Sequence, residues 1–132
     1  MESTTEQLRE LRHALLRLHK ALVDSERVTY ERVQGRVATK GELLQLVIHD
    51  SWFVWLRPVS ELIVRLDGLL EGDEPTIASE GPSVVGEVRE LLTPAEGGPG
   101  FATHYFEALQ RDPAVVLAHA DVMRALPPVG GQ

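Results

Sequence analysis

The sequence predicts an all-α protein, an antiparallel four-helix bundle folded as one domain over residues 1–132. Three observations lead there. Apolar residues recur at alternating spacings of three and four, the period of a helix with one buried face. Helix-start signals of the form Ser/Thr-x-x-Glu precede those runs. No alternating strand pattern and no hairpin turn signal occurs anywhere in the chain.

The first helix is expected over roughly residues 4–33, opened by Ser3 with Glu6 and closed by Gly35. Leu8, Leu11, Leu15, Leu18 and Leu22 form its seam. Val23, Tyr30 and Val33 carry the stripe onward along the flank that begins at His19. A second long helix is expected from about 40 to 71, capped by Thr39 and Glu42. Ile48, Trp52, Trp55, Val59, Leu62, Leu66 and Leu69 keep an unbroken four-three rhythm through Pro58. Proline in a helix interior removes one hydrogen bond and crowds the preceding turn, so this reading is one helix kinked at Pro58.

The stretch "EGDEPTIASEGPS" reads as an acidic loop, followed by a shorter third helix over about 82–92. Thr93-Pro94-x-Glu96 has capping-box spacing and is expected to support a single turn before the glycines and Pro99 stop it. The last segment runs from Phe101 to Leu126, broken or sharply kinked near Asp112-Pro113, where Asp112 can cap a new helix. A flexible tail is expected over about 127–132.

Composition narrows the function classes. The chain has no cysteine, which rules out disulfides, thiolate metal sites and a cysteine nucleophile. Net charge is −7, with +2 over residues 1–40 and −9 over residues 41–132, a surface that repels a phosphate backbone. Nucleic acid is therefore not an expected partner. No run of about 18 apolar residues exists, so no membrane span is expected. The polar, acidic start "MESTTEQLRELR" is unlike a secretory signal and points to the cytoplasm.

Chemistry motifs are few. No serine stands in a G-x-S-x-G setting, and Ser51 and Ser60 fall within a helical pattern. "EGGPG" lacks the lysine and the strand-loop-helix context of a phosphate cradle. The histidines remain. His13 falls opposite the leucine seam. His19 flanks that seam, His49 sits at the margin of the densest apolar face, and His119 occupies an inward position among Val115, Val116, Val122 and Met123. A histidine on an apolar face is by default a core residue satisfied by a hydrogen-bond partner. The sharper reading is a metal ligand or an acid-base group. Asp50 stands about 100° around the helix from His49, so the two do not aim at one point.

"ELLQLVIHDSW" places a histidine early in the second helix, and "VVLAHADVMRAL" places one in the last. In this the chain resembles the DinB-like metal-binding four-helix bundles. The resemblance implies a divalent metal (zinc, nickel or iron) held by one histidine of the second helix and a pair on the fourth. His49 and His119 match two of those positions, with His19, Asp50 or a water as the third ligand. The positions four residues either side of His119 are Val115 and Met123, so the pair on the last helix is incomplete.

The band Trp52, Phe53, Trp55 and Leu56 has two readings: core, or the wall of a pocket or interface. Core is the default for Trp55, with a cost of about 3–5 kcal/mol expected on truncation to alanine. The functional expectation is a non-enzymatic module that self-associates, most simply as a homodimer, or binds a partner of unidentified chemistry. No cofactor and no catalytic residue is predicted on this reading. The alternative is a DinB-like metal bundle with a thiol-related transferase or hydrolase activity, and the metal content of untagged protein separates the two.

Overall fold

The computed structural model describes residues 3–97 and 100–127. Among them are six α-helices and no strand: α1 (Thr4–Gln34), α2 (Lys40–His49), α3 (Arg57–Leu70), α4 (Glu74–Leu91), α5 (Phe101–Arg111) and α6 (Pro113–Ala125). A 3₁₀ turn at Val54–Leu56 leads into α3. Among the described residues no helix is long and apolar enough to cross a membrane.

α1 begins and ends where its sequence says. The Ser3 hydroxyl accepts the Glu6 N–H at 3.1 Å, satisfying one donor of the first turn. Gly35, at φ 101°, closes the helix and returns its N–H to the Glu31 carbonyl. All five leucines of the seam are buried to 1% exposure or less. Around them sit α3, α4 and α6. Arg12 pairs with Asp67 near one end of α3 and His19 meets Ser60 near the other, so α3 runs antiparallel to α1.

The expected second long helix is two helices. α2 stops at His49, and Asp50 takes an extended backbone (φ −86°, ψ 137°). The Asp50 carboxylate accepts the Trp52 N–H at 2.8 Å, a local bond that competes with helix propagation. Arg57 donates to the Ile48 carbonyl at 3.2 Å, supplying one end-group of α2 with a partner. Pro58 lies in the first turn of α3, where its missing N–H breaks nothing, so it starts a helix and does not kink one.

The third helix is longer than its sequence suggests. Asp73 caps it by accepting the Thr76 N–H at 2.9 Å, Pro75 stands in its first turn, and the expected acidic loop is helical over its last ten residues. Pro82 sits inside α4 at an exposed position, where it has no N–H to donate to the Ala78 carbonyl. Gly81 is buried against α1: a Cβ there would stand 3.2 Å from Leu8 Cδ1 and 3.4 Å from Thr4 Cγ2. Gly81→Val should therefore wedge α4 off α1 at a cost of about 1–3 kcal/mol in denaturant unfolding. An unchanged midpoint would mean that α1 and α4 part without loss.

No helical turn forms at Thr93–Glu96. The Thr93 hydroxyl donates back to the Arg89 carbonyl at 2.8 Å, so it extends α4 and caps nothing ahead of it. Pro99 lies outside the described residues, as does the tail beyond Pro127. Between α5 and α6 the chain breaks fully: Asp112 is extended, and its carboxylate accepts the Ala114 N–H at 2.9 Å.

Candidate functional site

The histidines expected to carry chemistry are dispersed. His19, on α1, is partly buried, and its Nε2 lies 2.9 Å from the Ser60 hydroxyl of α3. Burial lowers the His19 pKa below its ordinary 6.5, so the ring is neutral near pH 7. The bond ties α1 to α3 at one wall of an open hollow of about 850 Å³ between α3 and α4. Among the described residues no carboxylate bonds the ring, so the pair lacks the third group that orients a catalytic base.

His119 belongs to a second cluster. Tyr105 of α5 is fully buried, and its phenol oxygen lies 2.6 Å from His119 Nδ1. Burial raises the tyrosine pKa and lowers that of the histidine, so both are neutral around pH 7. The hydrogen bond engages Nδ1 of the ring, which leaves Nε2 as the one nitrogen of His119 open to a further partner. The rings continue outward: Phe101 stacks on Tyr105 at 5.3 Å, Trp55 lies 5.4 Å from Phe101, and exposed His104 stacks on Trp55 at 5.1 Å.

His49 and His119 do not meet. His49 is exposed at the end of α2, beside a shallow hollow of about 500 Å³ shared with Tyr30 and Arg36. The margin position inferred for His49 assumed that the helix continues past residue 49, and it does not. Asp50 is occupied as the cap of the turn. Among the described residues no group of three or more His, Asp or Glu side chains is placed to hold a metal ion.

The aromatic band divides. Phe53 and Leu56 are buried to 1% or less, so they are core and wall no pocket. Trp52 and Trp55 are half-buried, Trp52 edge-on to Tyr30 at 5.6 Å. Trp55 Nε1 is buried without an acceptor among the described residues. Neither the Tyr105–His119 bond nor the His19–Ser60 bond is marked in the sequence, since each joins residues on different helices.

The two neutral histidines give the fold a pH dependence. The unfolded chain, with histidines at the ordinary 6.5, binds protons that the folded chain resists. The associated stability is complete above that value and is lost as pH falls below it. The urea midpoint should therefore drop between about pH 7.5 and 5.5. The drop should shrink in a His19→Asn, His119→Gln double variant. A midpoint that holds or rises on acidification would contradict the burial of both rings.

α2 is an apolar helix held only loosely against the core. It buries no residue completely: Leu43, Leu46 and Val47 lean on the core, while Leu44 and Ile48 are 56% and 45% exposed on the other side. No family model, no curated protein and no solved structure matches the chain.

Proposed function

We propose that the protein is a non-enzymatic binding module that self-associates as a two-fold homodimer through the outer face of α2. We place that helix on a four-helix antiparallel core of α1, α3, α4 and α6. The observation that supports the dimer is the uncovered side of α2. Beside the polar stripe of Glu42, Gln45 and His49, α2 carries apolar residues both on the side that leans on the core and on a second face, Leu44 and Ile48, that does not, and an apolar helix face is normally buried.

Gly41, Leu44 and Ile48 follow at three and four residues, so one stripe carries them along the solvent side. Gly41 is exposed and meets almost nothing with its missing side chain, which leaves room for an opposing side chain to approach. A second copy of α2 laid antiparallel would set the same stripe against itself, the isologous contact of the commonest dimers.

Light scattering should show a dimer at about tens of micromolar, where interfaces of ordinary size associate. Leu44→Glu with Ile48→Glu should convert it to a monomer with unchanged helix content, since neither side chain supports the core. A wild-type monomer at that concentration, or a dimer indifferent to both substitutions, would refute the proposal.

A further inference from the structure

We propose that the hollow between α3 and α4 binds a small amphipathic organic cation, an ammonium group carried on an apolar body. Its volume of about 850 Å³ falls in the range of small-molecule sites. Its floor is apolar, with Leu62 buried and Leu91 half-buried, flanked by Pro58. An apolar floor alone selects no ligand; the charges around it do.

Three carboxylates line the hollow, Glu61 from α3 with Glu87 and Glu90 from α4, against one cation, Arg65. Arg65 pairs with Glu87. That leaves Glu61 and Glu90 on opposite walls without a side-chain partner among the described residues. His19, behind Ser60, is neutral near pH 7 and adds no opposing positive charge. The surrounding field has the same sign: between residues 57 and 91 eight acids stand against three arginines. Low-dielectric walls lined by one sign of charge concentrate the opposite ion.

Size favours a small molecule over a docked helix. The α4 wall of the hollow covers residues 87–91, little more than one turn. A helix seated by anchors at i, i+3 and i+7 would need about two turns of wall on both sides.

The test uses three probes that share one body and differ in head group: 4-phenylbutylammonium, 4-phenylbutanol and 4-phenylbutanoate. Each is titrated into the full ¹⁵N-labelled chain. The ammonium should shift the amides of residues 59–65 and 87–91, bind more weakly as salt rises, and bind more tightly than the alcohol, with no binding by the carboxylate. Glu61→Gln with Glu90→Gln should weaken the ammonium about five- to ten-fold, the sum of two exposed ion contacts, without changing helix content. Equal binding of the alcohol or carboxylate, shifts confined to other helices, or unchanged affinity in the double variant would each overturn the proposal. Displacement of the amine by a basic helical peptide that binds the hollow more tightly would overturn it in favour of a protein partner. Substitutions on the outer face of α2 leave this hollow untouched, so the outcome does not depend on the dimer.

Discussion

Phe53→Ala should destabilise the protein by about 3–5 kcal/mol, the usual cost of emptying a large aromatic core site. Phe53 is fully buried and lies 5.6 Å from the Tyr30 ring, at the junction of α1, α2 and the turn into α3. Core is the default that the heptad position gives Trp55, yet it is only half-buried, with one face against Phe101 and the other ring neighbour an exposed histidine. Trp55→Ala should therefore cost clearly less than Phe53→Ala. The phenylalanine also holds more than its own volume. α2 buries no residue and rests chiefly on the Val54–Leu56 turn, which Phe53 anchors. Amide exchange across α2 should accelerate in Phe53→Ala even where the rest of the chain stays protected. A cost below about 1 kcal/mol, or a Trp55→Ala variant that is the less stable of the two, would show that the turn is held from elsewhere.

The contrast between these two aromatic residues shows what could be read from the chain alone. α1 was legible because its cap, its leucine spacing and its closing glycine all state the same helix. The segment 40–71 carried two opposed messages. Continuity of the apolar rhythm argued for one helix, whereas Asp50 and Pro58 are good residues for ending one helix and starting another. The local chemistry prevailed: the Asp50 side chain offers the backbone a bond that the helix would otherwise make, and Arg57 takes up a freed carbonyl. With the helix ended at residue 49, the angular position assigned to His49 lost its meaning, and the histidine faces solvent. α4 is longer than its sequence suggests for a different reason. Gly81 and Pro82 disfavour a helix interior, but the missing side chain of Gly81 lets α4 lie against Leu8 and Thr4, and that packing outweighs intrinsic propensity. His119, expected among Val115, Val116, Val122 and Met123, is half-buried, since Val116 and Met123 face solvent, and its hydrogen-bond partner is not marked in the sequence. Tyr105 lies on the far side of the Asp112 break, and only the fold of α5 onto α6 brings the two rings together.

Arg111→Met should be the second most damaging single change, at about 3 kcal/mol, because it strands a carboxylate that the fold has taken out of water. Glu26 on α1 is 7% exposed, and its neighbour Ser25 is 3% exposed. Arg111, the last residue of α5, serves both: its guanidinium donates to the Glu26 carboxylate and to the Ser25 hydroxyl, each at 3.1 Å. These bonds fasten α1 to the chain immediately before the Asp112 break, where no backbone ladder connects the helices. The arginine side chain is 32% exposed, against 9% for the glutamate, so solvent screens one end of the pair and sets the expected cost at the low end for a broken buried ion pair. The same asymmetry makes the two single variants unequal. Glu26→Met removes the buried charge itself, and the freed guanidinium can turn to water, so it should be milder than Arg111→Met. The double variant Glu26→Met, Arg111→Met should recover most of the loss, since it leaves no buried charge unpaired. Denaturant midpoints for the four proteins form a double-mutant cycle that reads this coupling directly. Additive losses, or an Arg111→Met variant within about 0.5 kcal/mol of wild type, would place the pair in solvent and remove it from the forces that join α5 to α1.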